Sequence, residues 1–279
     1  MKKITGETFV GERSLFSSDD LFVENVTFKD GESPLKESKN LRLNKVTFEW
    51  KYPLWYCNDV VISNSLLKET ARSGIWYTNN IKINDSVIDA PKTFRRGHGI
   101  RLTNTKINNA QETLWKCDDI HIKDVYAKGD YFGFNSNNIE VENLTLDGNY
   151  AFDGGSNIVI RNSILNSKDA IWNCKNVTIY DSKIIGEYFG WNSENVTLVN
   201  CEIISHQGFC YMNKLKMIDC KVIESDLCFE YCENLDVEIT TEVDSIKNPR
   251  SGQIKVKSVK ELILDDKHID KTKTKVIIG

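Results

Sequence analysis

The amino-acid sequence predicts an all-β fold: a single-stranded, right-handed parallel β-helix of about 12 coils of 19–21 residues. Pairs of apolar residues recur at this spacing, Asn or Asp residues recur between the pairs, and no helical periodicity accompanies them. A repeat of this length is typical of a solenoid, whose coils bury one continuous core. We call the residue before each first apolar pair the anchor. The twelve anchors are Asp20, Asn40, Asp59, Asn80, Gly99, Asp119, Asn138, Asn157, Asn176, Asn195, Lys214 and Asn234.

The positions after each anchor predict two strands and a bend. Positions one and three are aliphatic or Met in every repeat, as in Leu21 and Val23, so both side chains point inward from one short strand. Position five is Asn or Asp in ten of the twelve repeats, and both residue types tolerate the left-handed conformation of a turn. Positions six and eight, such as Val26 and Phe28, form a second strand. We expect a flat coil of three short strands, stacked about 4.8 Å apart by parallel pairing.

Other solenoids fit less well. A left-handed hexapeptide helix needs an aliphatic residue at every sixth position, and leucine-rich repeats need a helix or a longer leucine motif. Pentapeptide repeats need an apolar residue eleven positions after the anchor, where this chain has charged residues such as Lys51 and Asp130.

The repeat predicts one domain over residues 1–279. Residues 20–243 hold the coils, residues 1–19 form an N-terminal cap, and residues 244–279 form a C-terminal cap. Caps are expected because an open solenoid end exposes a sheet edge.

Composition limits the class of protein. A net charge of −4 provides no basic surface for nucleic acid, and no apolar run is long enough to span a membrane. The first residues have no apolar signal region, and the eight cysteines form no zinc motif, so we expect a cytoplasmic protein with reduced thiols. We expect no metal and no cofactor, and either a monomer or a homodimer. Cys201 and Cys220 should stack on neighbouring coils.

The stretch before each anchor, the third side, varies most between coils. The positions four residues before each anchor form what we call the inner column, which holds five of the six tryptophans and several charged residues. The positions three residues before each anchor form what we call the outer row, which is rich in Tyr, Asn and cationic residues. Because unpaired charges are costly to bury, we expect these positions to lie partly on the surface.

Three interpretations of the third side remain open: a packed aromatic ladder, a groove for a sugar polymer, and a protein–protein surface. In the groove interpretation, indoles pack on sugar rings while polar groups bind hydroxyls or uronate. The candidate ligand-binding residues are then Trp55, Trp76, Trp115, Trp172, Trp191, Tyr56, Tyr77, Lys36, Lys116, Glu37 and Glu230.

Five residues are candidates for catalysis. Asp153 lies among aromatic positions, which should raise its pKa toward the range of a general acid, and Asp130 and Asp169 lie on adjacent coils. Arg95 and Arg96 form the densest positive spot, suited to a uronate. A turn aspartate and a solvated basic edge are the structural alternatives. No lyase or hydrolase signature is present.

Several third-side segments carry a family resemblance. GERSLF, FEWKYPLWYC, GIWYTNN, APKTFRR, ETLWKC, SKDAIWNC and GEYFGWNS resemble the bacterial family called domain of unknown function 3737, and the resemblance spans essentially the whole chain. It implies a right-handed β-helix of the pectin-lyase-like superfamily and brings no established activity.

Together these features predict a protein that binds a carbohydrate or uronate-containing ligand, such as an oligosaccharide. The alternative is a non-enzymatic scaffold or self-assembly module. Catalysis is left open; an enzyme of this kind would be polysaccharide lyase-like or glycoside hydrolase-like.

Overall fold

The computed structural model describes residues 1–279 and confirms the all-β prediction: the chain is a parallel β-solenoid with about 15 turns. It divides into two compact units, unit 1 (Met1–Glu140) and unit 2 (Val141–Gly279). Neither of its two 3-10 helices, Glu69–Ala71 and Lys271–Lys273, is long and apolar enough to cross a membrane.

The strands β1 to β12 lie within unit 1, and the division between the units falls inside β13. They are β1 (Lys2–Thr5), β2 (Thr8–Phe9), β3 (Asp19–Phe28), β4 (Lys39–Phe48), β5 (Asn58–Ser63), β6 (Leu66–Leu67), β7 (Ile75–Trp76), β8 (Asn79–Asn84), β9 (Val87–Ile88), β10 (Phe94–Arg95), β11 (His98–Ile107), β12 (Asp118–Lys128) and β13 (Asn137–Asp147). The strands of unit 2 that follow are β14 (Ser156–Arg161), β15 (Ile164–Asn166), β16 (Lys175–Tyr180), β17 (Lys183–Ile185), β18 (Glu194–Val199), β19 (Glu202–Ile204), β20 (Asn213–Ile223), β21 (Leu235–Lys247), β22 (Gly252–Ile263) and β23 (Thr274–Ile278).

The core follows the predicted periodicity. In β3, Leu21, Val23, Val26 and Phe28 are buried, and each lies opposite the equivalent residue of β4 in a parallel register. Asn25 between the two pairs adopts the left-handed conformation (φ 53°), which turns the chain so that both pairs face inward. The register places like residues on top of each other.

The third side differs from the prediction of a third strand. Only β7 and β10 are strands there, and they pair with each other in parallel. Elsewhere this side consists mainly of turns. Left-handed residues such as Tyr52 (φ 60°) and Tyr56 (φ 57°) bend the chain twice within five residues. An extended segment between two such bends is therefore short, as in the two-residue strands β7 and β10.

The structure has about 15 turns rather than the predicted 12, because both chain ends also coil. In unit 1, β1 and β2 pair in parallel with β3. In unit 2, Leu235 lies opposite Gly252 and Gly252 lies opposite Thr274. These steps of 17 and 22 residues differ from the 19–21-residue repeat. The last turns were therefore not predicted from the repeat.

All eight cysteines are buried and free. Cys201 and Cys220 lie on successive coils of unit 2, where the thiol of Cys201 donates to the Ile179 carbonyl at 3.4 Å and that of Cys220 to the Leu198 carbonyl at 3.5 Å.

Candidate functional site

The inner column of unit 1 is a stack of rings. Trp55 and Trp76 lie parallel with their ring centroids 5.1 Å apart, and Tyr52 packs against Trp55 at 4.6 Å. Each indole N–H donates to a backbone carbonyl of the next coil, Trp55 to Ser73 (2.6 Å) and Trp76 to Lys92 (2.8 Å). The half-buried indoles therefore have their polar atoms satisfied within the protein.

Arg95 continues the stack with a cation. Its guanidinium lies between two indoles, with its Cζ atom 4.5 Å from the ring centroid of Trp76 and 5.1 Å from that of Trp115. Glu112 of the next coil accepts a hydrogen bond from Arg95 at 3.1 Å and also pairs with Lys92. The Nε atom of Arg95 is buried without a hydrogen-bond partner. Arg95 is thus held by charge and by ring contact together.

The packing leaves few indole faces exposed in unit 1. Beyond Arg95, Trp115 packs against Phe134 at 4.2 Å, so rings or the guanidinium occupy the column from Trp55 to Phe134. A sugar ring that approaches this column meets ring edges. This is the geometry of the packed ladder, one of the three interpretations.

The outer row lies beside the ladder and is more exposed. Tyr56 and Tyr77 stack with centroids 4.8 Å apart and planes 3° apart, and Tyr56 is 45% exposed. Lys36 covers the other side of Tyr56 at 5.7 Å and pairs with Glu37 at 3.6 Å.

Two cations extend the outer row. Arg96 lies over Tyr77, with its Cζ atom 6.0 Å from the ring centroid, and Lys116 follows on the next coil. Both side chains are exposed and neither has a carboxylate partner. The hydroxyls of Tyr56 and Tyr77 also make no hydrogen bond to the protein. The row therefore presents two hydroxyls and two uncompensated positive charges on four successive coils.

In unit 2, two of the candidate catalytic aspartates come close. Asp153 and Asp169 occupy positions equivalent to Arg95 and Glu112, so two carboxyls stand where unit 1 has an ion pair. Burial raises the pKa of Asp153, partly offset by a hydrogen bond from Asn173 (3.3 Å).

Asp169 is the more deeply placed of the two. It is 7% exposed, and neither carboxylate oxygen accepts a hydrogen bond from the protein. Burial raises the pKa of Asp169; Lys168 opposes this, and the charges of Glu187 and Asp153 add to it. The pair is arranged to retain a proton at a higher pH than ordinary aspartates.

The remaining candidates have structural partners. Trp191 donates to the Gln207 carbonyl (2.8 Å), and Trp172 lies 6.3 Å from Tyr150 between ring centroids. Glu230 is buried, pairs with Lys247 at 2.9 Å and accepts a bond from Gln207.

Asp130 lies in unit 1, where its backbone N–H donates to Gln111 at 3.3 Å. Its predicted association with Asp153 and Asp169, which belong to unit 2, stays a prediction.

One partner in the site escaped the sequence reasoning. Glu112 neutralises both Arg95 and Lys92, yet it stands three residues away from the inner column, seven before its anchor. The signal for Glu112 is its distance of 17 residues from Arg95. The residue four positions before one anchor lies beside the residue seven positions before the next anchor. No group of three or more His, Cys, Asp or Glu side chains is arranged to hold a metal ion.

The fold and this ring-lined side define a parallel β-solenoid of the β-helix type. The chain belongs to the family described as Protein of unknown function (DUF3737), whose sequence model matches residues 2–277. No curated protein matches the chain significantly.

Solved structures resemble the fold at low identity. The A-module of the mannuronan C-5 epimerase AlgE4 from Azotobacter vinelandii is 13% identical, with 79% of this chain and 86% of that chain covered and a TM-score of 0.45. PfbA, a surface adhesin of Streptococcus pneumoniae, is 12% identical, with 77% and 71% covered and a TM-score of 0.41.

Proposed function

We propose that this protein binds an anionic, polyhydroxylated ligand of the uronate-containing carbohydrate class along the outer row of unit 1. The observation that carries this proposal is the pair Arg96 and Lys116, two exposed cations on successive coils with no carboxylate partner. Uncompensated cations side by side attract a carboxylate, and a guanidinium can bind it through two hydrogen bonds.

The neighbouring tyrosines suit the rest of such a ligand. Tyr56 and Tyr77 present hydroxyls that can donate to and accept from sugar hydroxyls, and their stacked rings hold these groups one coil apart. The coil spacing of about 4.8 Å fixes the step between successive contacts. In this proposal the packed tryptophans of the inner column lie beside the outer row and restrict its movement.

The test is a calorimetric titration with trigalacturonate, a uronate trisaccharide, compared with the neutral trisaccharide maltotriose. We expect saturable binding of trigalacturonate that weakens with added salt, because exposed charges are screened. The double variant Arg96→Gln, Lys116→Gln should weaken binding at least about tenfold, given roughly 1.5–3 kcal/mol for hydrogen bonds to charged groups.

The control is Arg72→Gln, which removes another exposed positive charge from the same unit, at a position that is not part of the outer row. Equal weakening in this control would show a general charge effect and contradict the proposal, as would equal affinity for maltotriose. Tyr77→Phe, which keeps the ring and loses the hydroxyl, should weaken binding by a few-fold.

A scaffold or self-assembly role is the alternative. It predicts that wild type binds neither sugar and that sedimentation velocity shows a dimer, which Tyr56→Ala converts to a monomer.

A second candidate function is hydrolysis of a glycoside bound on the third side of unit 2, favoured by the buried Asp169 carboxylate near Asp153. One protonated carboxyl would donate to the glycosidic oxygen while the other takes a proton from the attacking water. Release of reducing ends from trigalacturonate should then be lost in Asp169→Asn with binding retained. An unchanged rate in that variant would reject this function.

A further inference from the structure

An open groove of about 560 Å³ lies in unit 1, away from the third side. It follows the start of the first strand of each coil. One wall consists of anchor residues, among them Asp59 and Asn80, and the other consists of residues two positions after the anchors, among them Arg42 and Lys82. None of these four residues belongs to the inner column or the outer row.

The second wall has two free cations. Arg42 and Lys82 are exposed and make neither an ion pair nor a hydrogen bond. Val61, on the coil between them, is half-buried and forms an apolar floor. Two coil steps, about 9.6 Å, separate the two backbones, so both long side chains can reach a single anion above Val61.

Other cations at this position are neutralised. Lys216 in unit 2 pairs with Asp236 at 3.8 Å, and Arg101, which also lines the groove, pairs with Asp119 at 3.0 Å. The chain therefore supplies carboxylate partners for Lys216 and Arg101 but none for Arg42 and Lys82. Two unpaired cations converging on one small floor are suited to a doubly charged group such as a phosphate ester.

The first wall has an open acceptor. Anchor amides normally form a ladder, as in unit 2, where Asn195 donates to Asn176 at 2.8 Å and Asn176 donates to Asn157 at 3.0 Å. Asn80 donates to Asp59 at 3.1 Å, but the next anchor is Gly99, which has no side-chain donor for the Asn80 Oδ1 atom.

Gly99 also keeps the space in front of that oxygen clear. Its backbone is left-handed (φ 71°), and a Cβ atom there would lie 2.8 Å from Asn80 Oδ1. The groove thus offers acceptors for hydroxyl hydrogens on one wall and cations on the other.

We infer that this groove is a binding site for a small sugar phosphate, with the phosphate between Arg42 and Lys82 and the sugar hydroxyls on Asn80 Oδ1 and Asp59. This site is separate from the outer row and does not depend on the proposed carbohydrate binding there.

Glucose 6-phosphate is the probe, titrated by calorimetry, with glucose and inorganic phosphate as separate arms. We expect saturable binding of glucose 6-phosphate that is weaker for phosphate and weakest for glucose. The double variant Arg42→Gln, Lys82→Gln should weaken binding at least about tenfold, since it removes both charge-assisted contacts. Val61→Glu, which places a negative charge on the floor, should abolish it.

Two controls separate this site from general charge effects. Lys216→Gln removes a lysine at the equivalent position in unit 2, and Arg96→Gln with Lys116→Gln disables the outer row; both should leave binding within about twofold of wild type. No saturable binding of glucose 6-phosphate, or equal weakening by Lys216→Gln, would overturn the inference. Phosphate binding as tight as that of glucose 6-phosphate would overturn the role of the first wall.

Discussion

The cation between two indoles gives the sharpest test of how the third side is stabilised. Arg95→Ala removes the contacts with Trp76 and Trp115, at 4.5 and 5.1 Å from their ring centroids, and the hydrogen bond to Glu112. A cation–π contact is worth about 0.5–1 kcal/mol at exposed sites and about 2 kcal/mol when desolvated. Because the Arg95 side chain is 23% exposed, about 1 kcal/mol for each ring is appropriate.

The other terms are smaller and partly cancel. The Glu112 side chain is 25% exposed, so the ion pair adds about 0.5–1 kcal/mol. Against this, the buried Arg95 Nε atom without a partner costs about 1 kcal/mol, which the Ala variant recovers. The free energy of unfolding should therefore fall by about 2 kcal/mol. Arg95→Lys should lose about half as much, since a compact ammonium cannot cover both rings.

Equilibrium unfolding in urea, followed by tryptophan fluorescence, measures these losses. Arg96→Ala is the matched control, because it removes the next arginine along the chain, which is exposed and lies 6.0 Å from a single ring. It should cost less than about 0.5 kcal/mol. If Arg95→Ala costs no more than Arg96→Ala, ring contact contributes nothing to stability here and the reasoning fails.

Three further predictions follow from burial. The pKa of Asp169 is raised in the folded state, so this group stabilises the fold fully below the ordinary aspartate pKa, and that stability is lost as the pH rises through the folded-state pKa. Asn does not titrate, so the stability of Asp169→Asn relative to wild type should be greater at pH 7 than at pH 4. A difference in urea midpoints that does not change with pH would contradict this. Phe48→Ala should lower the free energy of unfolding in urea by about 3–5 kcal/mol, because Phe48 is fully buried and stacked on Phe28 at 5.2 Å. Phe16 is 39% exposed, so Phe16→Ala should lower it by less than about 1 kcal/mol. Equal losses would refute the core assignment. Burial raises the pKa of Cys57, Cys117 and Cys174 to about 12, so a thiol reagent at pH 8 should modify these thiols only after unfolding, and rapid labelling of the native protein would count against their burial.

The strands could be predicted because they follow one physical rule in every coil. Residues such as Val23 and Val26 must face inward, and Asn25 must bend the chain between them, so the 19-residue spacing specifies both strands and their register. The period fails near the C-terminus, where β22 and β23 obey the same parallel pairing with steps of 17 and 22 residues. Parallel strand pairing is possible whether the connection between two coils is longer or shorter. A prediction that relies on a constant repeat length does not find such coils.

The third side was predictable only as a set of columns. The sequence places Trp76, Arg95 and Trp115 in one column, but the choice between a sugar groove and a packed ladder depends on ring orientation, which spacing does not specify. Glu112 and the free pair Arg42 and Lys82 were missed because their significance lies in what neighbouring coils supply or withhold. These relationships join residues one or two coils apart, where local sequence rules give no signal.

The same architecture explains why unpaired groups indicate function in this chain. In a solenoid each outward side chain has neighbours about 4.8 Å above and below at the same position, so a complementary partner is always geometrically available. Lys183 with Glu202 and Lys168 with Glu187 show that the chain usually provides one. Where successive coils instead carry Arg96 and Lys116, or Arg42 and Lys82 across one intervening coil, the missing carboxylate is specific to that place in the sequence. Since each uncompensated charge repels its neighbour, a ligand that brings negative charge relieves that repulsion and binds there most favourably.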